Sequence, residues 1–225
     1  MSAGVNTKIL DIISDRSIEE VVHFTTNCGF LGCLAENAVL PRNRLKASQL
    51  LENILTLNAP FRTEEQDWFD HTRDWISYVN LSISEISMNL FRASLKWHPQ
   101  KNLFWVIMSF DPNLMADEDV FFSTTNNIYP LTHRAPGVTG LNALFVPEVA
   151  RKGTWVAKRG TRPKHLPTCE QAEVLYPNGL TMEYLQKVYV REGPESDWAY
   201  SVLKIYERDD VEVEINPAKF AGAPN

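Results

Sequence analysis

Two periods of apolar and polar residues alternate along this chain, and the switches between them outline its elements. "VVHFTT" (21–26) is β-branched and aromatic and reads as a strand. "NLFWVIMSFDP" (102–112) is the clearest buried strand. "YVNLSIS" (78–84) alternates, so Val79, Leu81 and Ile83 share one face while Tyr78, Asn80, Ser82 and Ser84 share the other. "DVFFSTTNN" (119–127), "QAEVLYP" (171–177), "KVYVRE" (187–192) and "VEVEI" (211–215) complete the strands. Helical spacing marks "NTKILDIISD" near the start, "NCGFLGCLAENAVL" with Asn27 as its cap, and "EISMNLFRASLKWH" closed by Pro99. It also marks "TGLNALFVP", "TMEYLQ" and "SDWAYSVLKIYE". "RNRLKASQLLENILTL" and "EEQDWFDHTRDWISY" read as helical on either side of Pro60. Short strands mixed with helices, without regular βαβ alternation, predict an α+β fold.

The 225 residues carry no repeat and no Pro/Gly/Ser linker, so one domain over 1–225 is expected. A chain of this length buries roughly 70 % of its unfolded surface and needs no staples. The three cysteines, Cys28, Cys33 and Cys169, match no zinc spacing and fit a reducing compartment. Lys8, Asp11 and Asp15 interrupt the first apolar stretch, which excludes a signal peptide or membrane span there. A cytoplasmic protein without a metal is expected.

Net charge is −6, which argues against a surface coated for indiscriminate nucleic-acid binding. The distribution changes that picture. Between Val149 and Thr168 lie Arg151, Lys152, Lys158, Arg159, Arg162 and Lys164 with no acidic residue, a patch able to attract phosphate. The acidic "ERDDVEVE" lies near the other end of the sequence.

Chemistry concentrates in a few places. Neither GxGxxG, GxxxxGK[ST] nor HExxH occurs. In "HLPTCEQAEVLYP" (165–177), Gln171 and Glu173 are two apart, hence on one face at a strand's entrance. Glu173 is either a solvated strand end or an active-site carboxylate, because burying it unpaired is costly. His23 sits mid-strand as either a hydrogen-bonded core histidine or a ligand-holding donor, with Thr25 adding a hydroxyl. The basic run leads directly into Glu173, as suits delivery of a phosphodiester.

"HFTTNCGFLGCL", "YVNLSIS", "FSTTNN" and "PTCEQAEVLYP", in this order, resemble the DarT-type ADP-ribosyltransferases, bacterial toxins that attach ADP-ribose from NAD to DNA bases. The resemblance spans about residues 18–192, and "QAEVL" is its most specific part. It implies an ADP-ribosyltransferase fold, a split and mostly antiparallel β core with surrounding helices and NAD in the cleft. It further implies Glu173 as the catalytic carboxylate and His23, Thr25 and a middle-strand residue as NAD contacts. Tyr78, Ser82 and Ser84 compete for that middle position. An arginine upstream is Arg62, with Arg42 and Arg73 as rivals. Gln171 would read the acceptor base, and Lys158, Arg159 and Arg162 would hold its backbone. The implied acceptor is single-stranded DNA, with RNA or protein as alternatives. The implied partner is an antitoxin with ADP-ribosylglycohydrolase activity, macrodomain-like or similar. From another class, a non-catalytic NAD- or nucleic-acid-binding module would share the same residues.

Overall fold

The computed structural model describes residues 6–45, 71–97 and 102–222. Its elements in chain order are α1 (Thr7–Arg16), β1 (Val21–Thr26), α2 (Asn27–Ala35), β2 (Ala38–Val39), α3 (Arg42–Leu45) and β3 (Tyr78–Ile83). Next come α4 (Met88–Trp97), β4 (Trp105–Phe110), β5 (Phe121–Ser123), β6 (Arg134–Pro136), α5 (Gly137–Ala143), β7 (Glu148–Ala150) and β8 (Val156–Lys158). The chain ends with β9 (Glu173–Pro177), β10 (Leu180–Thr181), β11 (Leu185–Val190), α6 (Gly193–Ile205) and β12 (Glu212–Ile215).

Eight strands form one sheet in the order β12-β11-β4-β1-β3-β9-β5-β6. Only the β11–β12 pair is parallel; the other ladders of this sheet are antiparallel. Both faces are covered. One face carries the larger core, including Phe30, Phe110, Met108, Leu114 and Phe122. The other packs Val22, Ile107, Trp105 and Tyr189 against Phe91 and Phe220. Adjacent residues of β1 therefore enter different cores, Val21 one and Val22 the other, as a fully buried strand requires. A continuous apolar run such as "WVIM" in β4 has the same cause.

The sheet's main irregularity lies at its centre. β1 pairs with β4 along all six residues, and β3 pairs with β9 from Tyr78 to Leu81. β1 and β3 pair with each other only at Val21↔Ile83 and Val22↔Ser82. Beyond Val22 the two strands part. The sheet is thus two half-sheets joined by a two-rung seam, with a cleft where the seam ends.

Several sequence expectations change. Thr26, not Asn27, caps α2: its Oγ1 accepts from the Gly29 N–H at 3.1 Å. "TMEYLQ" forms only a single 3₁₀ turn, Met182–Tyr184, because Leu185 already pairs with Phe110 of β4. The strand in "DVFFSTTNN" ends at Ser123, where its last partner Glu173 begins β9. Most of the two helical segments expected around Pro60 lies outside the described residues. Of them, α3 and a 3₁₀ turn at Trp75–Ser77 are described.

Candidate active site

Where β1 and β3 separate, backbone groups lose their ladder partners and side chains replace them. The Asn80 carbonyl accepts from His23 Nδ1–H at 2.9 Å, which directs Nε2 away from that bond. Burial lowers the His23 pKa, outweighing the opposing effect of the ring's hydrogen bond to the Asn80 carbonyl, so the ring is neutral at physiological pH. The Asn80 side chain then reaches across to β9, and its Nδ2 donates to Glu173 Oε2 at 3.0 Å. Asn80 therefore bridges the histidine of one half-sheet and the carboxylate of the other.

Glu173 is the first residue of β9. Its Oε2 also accepts from the Asn127 N–H at 2.7 Å. Oε1 has no hydrogen-bond donor among the described residues. Burial raises the pKa to about 7, against the lowering effects of Asn127, Asn80 and the more distant Arg134. Arg134 is held on the Asn127 side chain and carbonyl and lies over the Trp75 ring, 5.2 Å from its centroid. It thereby fixes the loop whose N–H grips Glu173.

The cleft is a cavity of about 400 Å³, the size of a small-molecule site. His23, Thr25, Asn80, Asn127, Gln171 and Glu173 give it a polar wall. Phe24, Leu90, Trp97 and Trp105 give it an apolar one. Two buried polar atoms on its lining residues, Gln171 Oε1 and Trp75 Nε1, have no hydrogen-bond partner among the described residues. Buried polar groups are rarely left this way unless a ligand or water completes them. The chemistry of the wall thus fits a dinucleotide, with aromatic surface for rings and unpaired donors and acceptors for their edges.

The structure brings together His23, Thr25, Tyr78, Gln171 and Glu173 around this cavity. Tyr78 also packs with Trp75 and Phe121. Its hydroxyl accepts from Arg73 at 3.3 Å, and Arg73 lies 4.3 Å from the Phe121 ring centroid. Of the other middle-strand candidates, Ser82 lines the cavity. Ser84 lies beyond the strand with a positive φ, its carbonyl bound by Lys219. Arg42 lines the cavity, whereas Arg62 lies outside the described residues.

The basic run is not the uniform cationic loop its composition implies. Residues 148–158 form the β7–β8 hairpin. Arg151 is buried, 7 % exposed. Arg159 donates to the carbonyls of Leu166 and Pro163 at 3.0 and 2.9 Å. Arg162 donates to the Pro167 carbonyl at 2.8 Å and pairs with Glu85. Lys158 is exposed and pairs with Glu148 at 3.4 Å. None of Lys158, Arg159 and Arg162 lines the cavity; the two arginines brace the segment leading to Gln171 and Glu173.

Glu170, next to Gln171, is buried and holds the same segment from the other side. Its Oε2 accepts from the Met88 N–H at 3.1 Å, at the N-terminus of α4, a helix whose Leu90, Ser94 and Trp97 line the cleft. Asn80, Asn127, Arg134 and Glu170 escape a sequence reading. An asparagine on a polar strand face was the only signal present for Asn80.

The arrangement, a sheet split between a histidine strand and a glutamate strand with a cleft between them, is the one an ADP-ribosyltransferase fold is expected to have. The DarT family profile, described as "ssDNA thymidine ADP-ribosyltransferase, DarT", matches residues 22–221, and the chain belongs to this family. No curated protein matches the sequence. Solved structures share the fold at low identity. Thermus sp. 2.9 DarT in complex with ADP-ribosylated ssDNA is 10 % identical with a TM-score of 0.61, over 91 % of this chain and 97 % of that one. The same protein in complex with NAD⁺ gives 10 % and 0.58, over 88 % and 96 %. Thermosipho africanus DarTG in complex with ADP-ribose gives 15 % and 0.58, over 90 % of this chain. This chain spans about half of that DarTG chain, 51 %. Among the described residues no helix is long and apolar enough to cross a membrane, and no cluster of three potential metal ligands occurs.

Proposed function

We propose that this single domain transfers ADP-ribose from NAD to thymine in single-stranded DNA, with Glu173 as the catalytic carboxylate. The observation that carries the reading is the Glu173 carboxylate, held through one oxygen by Asn80 and Asn127 and open at the other toward the cleft. NAD supplies the ADP-ribosyl group and nicotinamide as leaving group. Glu173 stabilises the positive charge that grows at the ribose as the nicotinamide bond breaks, as in glycoside cleavage. The same carboxylate takes the proton from the base nitrogen as its bond to the ribose forms. With a pKa of about 7 it is matched to that proton transfer near neutral pH.

His23, neutral and oriented by Asn80, offers Nε2 to the NAD, with Thr25 and Tyr78 beside it. Arg62 pairs with the pyrophosphate, a role for which the cavity-lining Arg42 is the rival. Gln171 presents an unpaired Oε1 to the acceptor base. Lys158 contributes charge toward the strand, while Arg159 and Arg162 act mainly by shaping the segment before Glu173. The protein acts in the cytoplasm as the toxin of a toxin–antitoxin or phage-defence system, its partner an antitoxin with ADP-ribosylglycohydrolase activity, macrodomain-like or similar. Incubation with labelled NAD and matched pools of single-stranded DNA, duplex DNA, RNA and protein tests the reading. Label on single-stranded DNA is expected; label on protein alone overturns it.

A further inference from the structure

Trp155 is 70 % exposed, the most exposed aromatic side chain among the described residues. It stands at the turn of the β7–β8 hairpin, after Gly153 with φ +63°. The turn is closed by the Arg151 N–H donating to the Trp155 carbonyl at 2.8 Å and the Trp155 N–H donating to the Lys152 carbonyl at 3.2 Å. The root of the hairpin is anchored: Val149 and Ala157 pack on the buried Cys169, two residues before Gln171. Cys169 leads through Glu170 to Gln171, which lines the cleft, so the hairpin is seated on the segment that forms the cleft's wall. Other exposed apolar side chains lie in a different setting. Ile215 ends β12, a strand that also carries Glu212 and Glu214, whereas Trp155 is bonded to Lys152 through the turn and directly precedes β8, the strand that ends at Lys158.

We propose that Trp155 is a base-stacking platform for single-stranded DNA, receiving a nucleobase next to the thymine that enters the cleft. The inference rests on the transferase reading above. An exposed indole in a cationic setting is the combination that binds single strands, since every base offers a π face and the backbone offers charge. A base stacked at the tip keeps the strand from sliding, while the neighbouring base enters beside Gln171. The root of the hairpin is buried against Cys169, which ties the platform to the segment that carries Gln171 and Glu173. Base stacking is tolerant of base identity, so this site adds affinity and register without altering the base chosen in the cleft.

The test compares wild type, Trp155→Ala, Trp155→Phe and Lys152→Ala. Binding of a labelled single-stranded oligonucleotide is followed by fluorescence anisotropy at several salt concentrations, with NAD affinity measured separately by calorimetry. Trp155→Ala should weaken oligonucleotide binding about tenfold or more, the scale of losing one stacked base. Its salt slope should match wild type, and Trp155→Phe should recover most of the affinity. Lys152→Ala should instead reduce the salt slope by about one. NAD affinity should be the same in all four proteins. If Trp155→Ala binds the oligonucleotide as wild type does, the platform is wrong while the transferase reading stands. If wild type itself neither binds nor modifies single-stranded DNA, that reading falls and the platform with it.

Discussion

Two glutamates flank the seam between β1 and β3, and they are treated in opposite ways. Glu20 sits at the closed end, 8 % exposed. Its Oε2 accepts from Ser109 Oγ at 2.6 Å and the Tyr189 hydroxyl at 2.9 Å, and its Oε1 pairs with Lys219. Both oxygens are engaged and a cation balances the charge. Glu173 sits at the open end with two neutral donors, both on Oε2. Its carboxyl is pushed up to about 7. A buried carboxylate with a full set of partners fastens a structure. One with half a set retains affinity for something not yet bound, and a perturbed group of this kind in a cleft marks a functional site.

The sharpest way to break this contrast is to neutralise each glutamate in turn. Glu173→Gln should lose at least about 100-fold in transfer, the scale of removing one key electrostatic stabiliser, while NAD binding persists. Near-wild-type turnover of labelled NAD would remove Glu173 from the chemistry. Glu20→Ala should act on the fold instead. It strands Ser109, Tyr189 and Lys219 together, and stability should fall by about 3 kcal/mol in urea unfolding. Transfer per folded molecule should remain.

A smaller effect concerns pH. In the proposed mechanism transfer needs ionised Glu173, so kcat/KM should rise with pH to a plateau, with its midpoint near the free-enzyme value of about 7. Asn80→Leu removes a donor that favours the charged form, so that midpoint should move upward. An unchanged profile would show that the bridge from β3 does not act on the carboxylate.

The smallest effect is thermodynamic. The native pKa of Glu173, about 7, lies above the ordinary value of 4.5, so between those values the native state holds the proton more tightly than the unfolded chain. Its contribution therefore falls as pH rises through this window. Glu173→Gln should be more stable than wild type at pH 8, by about 1–2 kcal/mol after allowance for partial exposure, and the gain should vanish toward pH 4. Thermal melts of the two proteins across that range check it. A variant less stable than wild type at pH 8 would contradict the description of Glu173 as a buried carboxylate with only half its partners.

How much of this was legible beforehand follows from which interactions are local. β1, β4 and α4 announce themselves through periodicity, because each buries a face defined by its own residues. That Gln171 and Glu173 share one face at a strand entrance is a local feature of the sequence, and both line the cavity. The role of Asn80 depends on β3 lying between β1 and β9, which is a fact of topology. Arg134 reaches the site only because the β5–β6 hairpin folds it back on Asn127. The partners of the basic run are hidden for a related reason: Arg159 and Arg162 find loop carbonyls that no composition reveals.

The two-rung seam also makes the cleft indivisible along the sequence. His23 belongs to the half-sheet β12-β11-β4-β1, whereas Glu173 belongs to β3-β9-β5-β6. The two half-sheets are interleaved in the chain: β3 lies between β1 and β4, and β5, β6 and β9 lie between β4 and β11. Neither half is a contiguous stretch of sequence, so no single excised segment carries one wall of the cleft by itself.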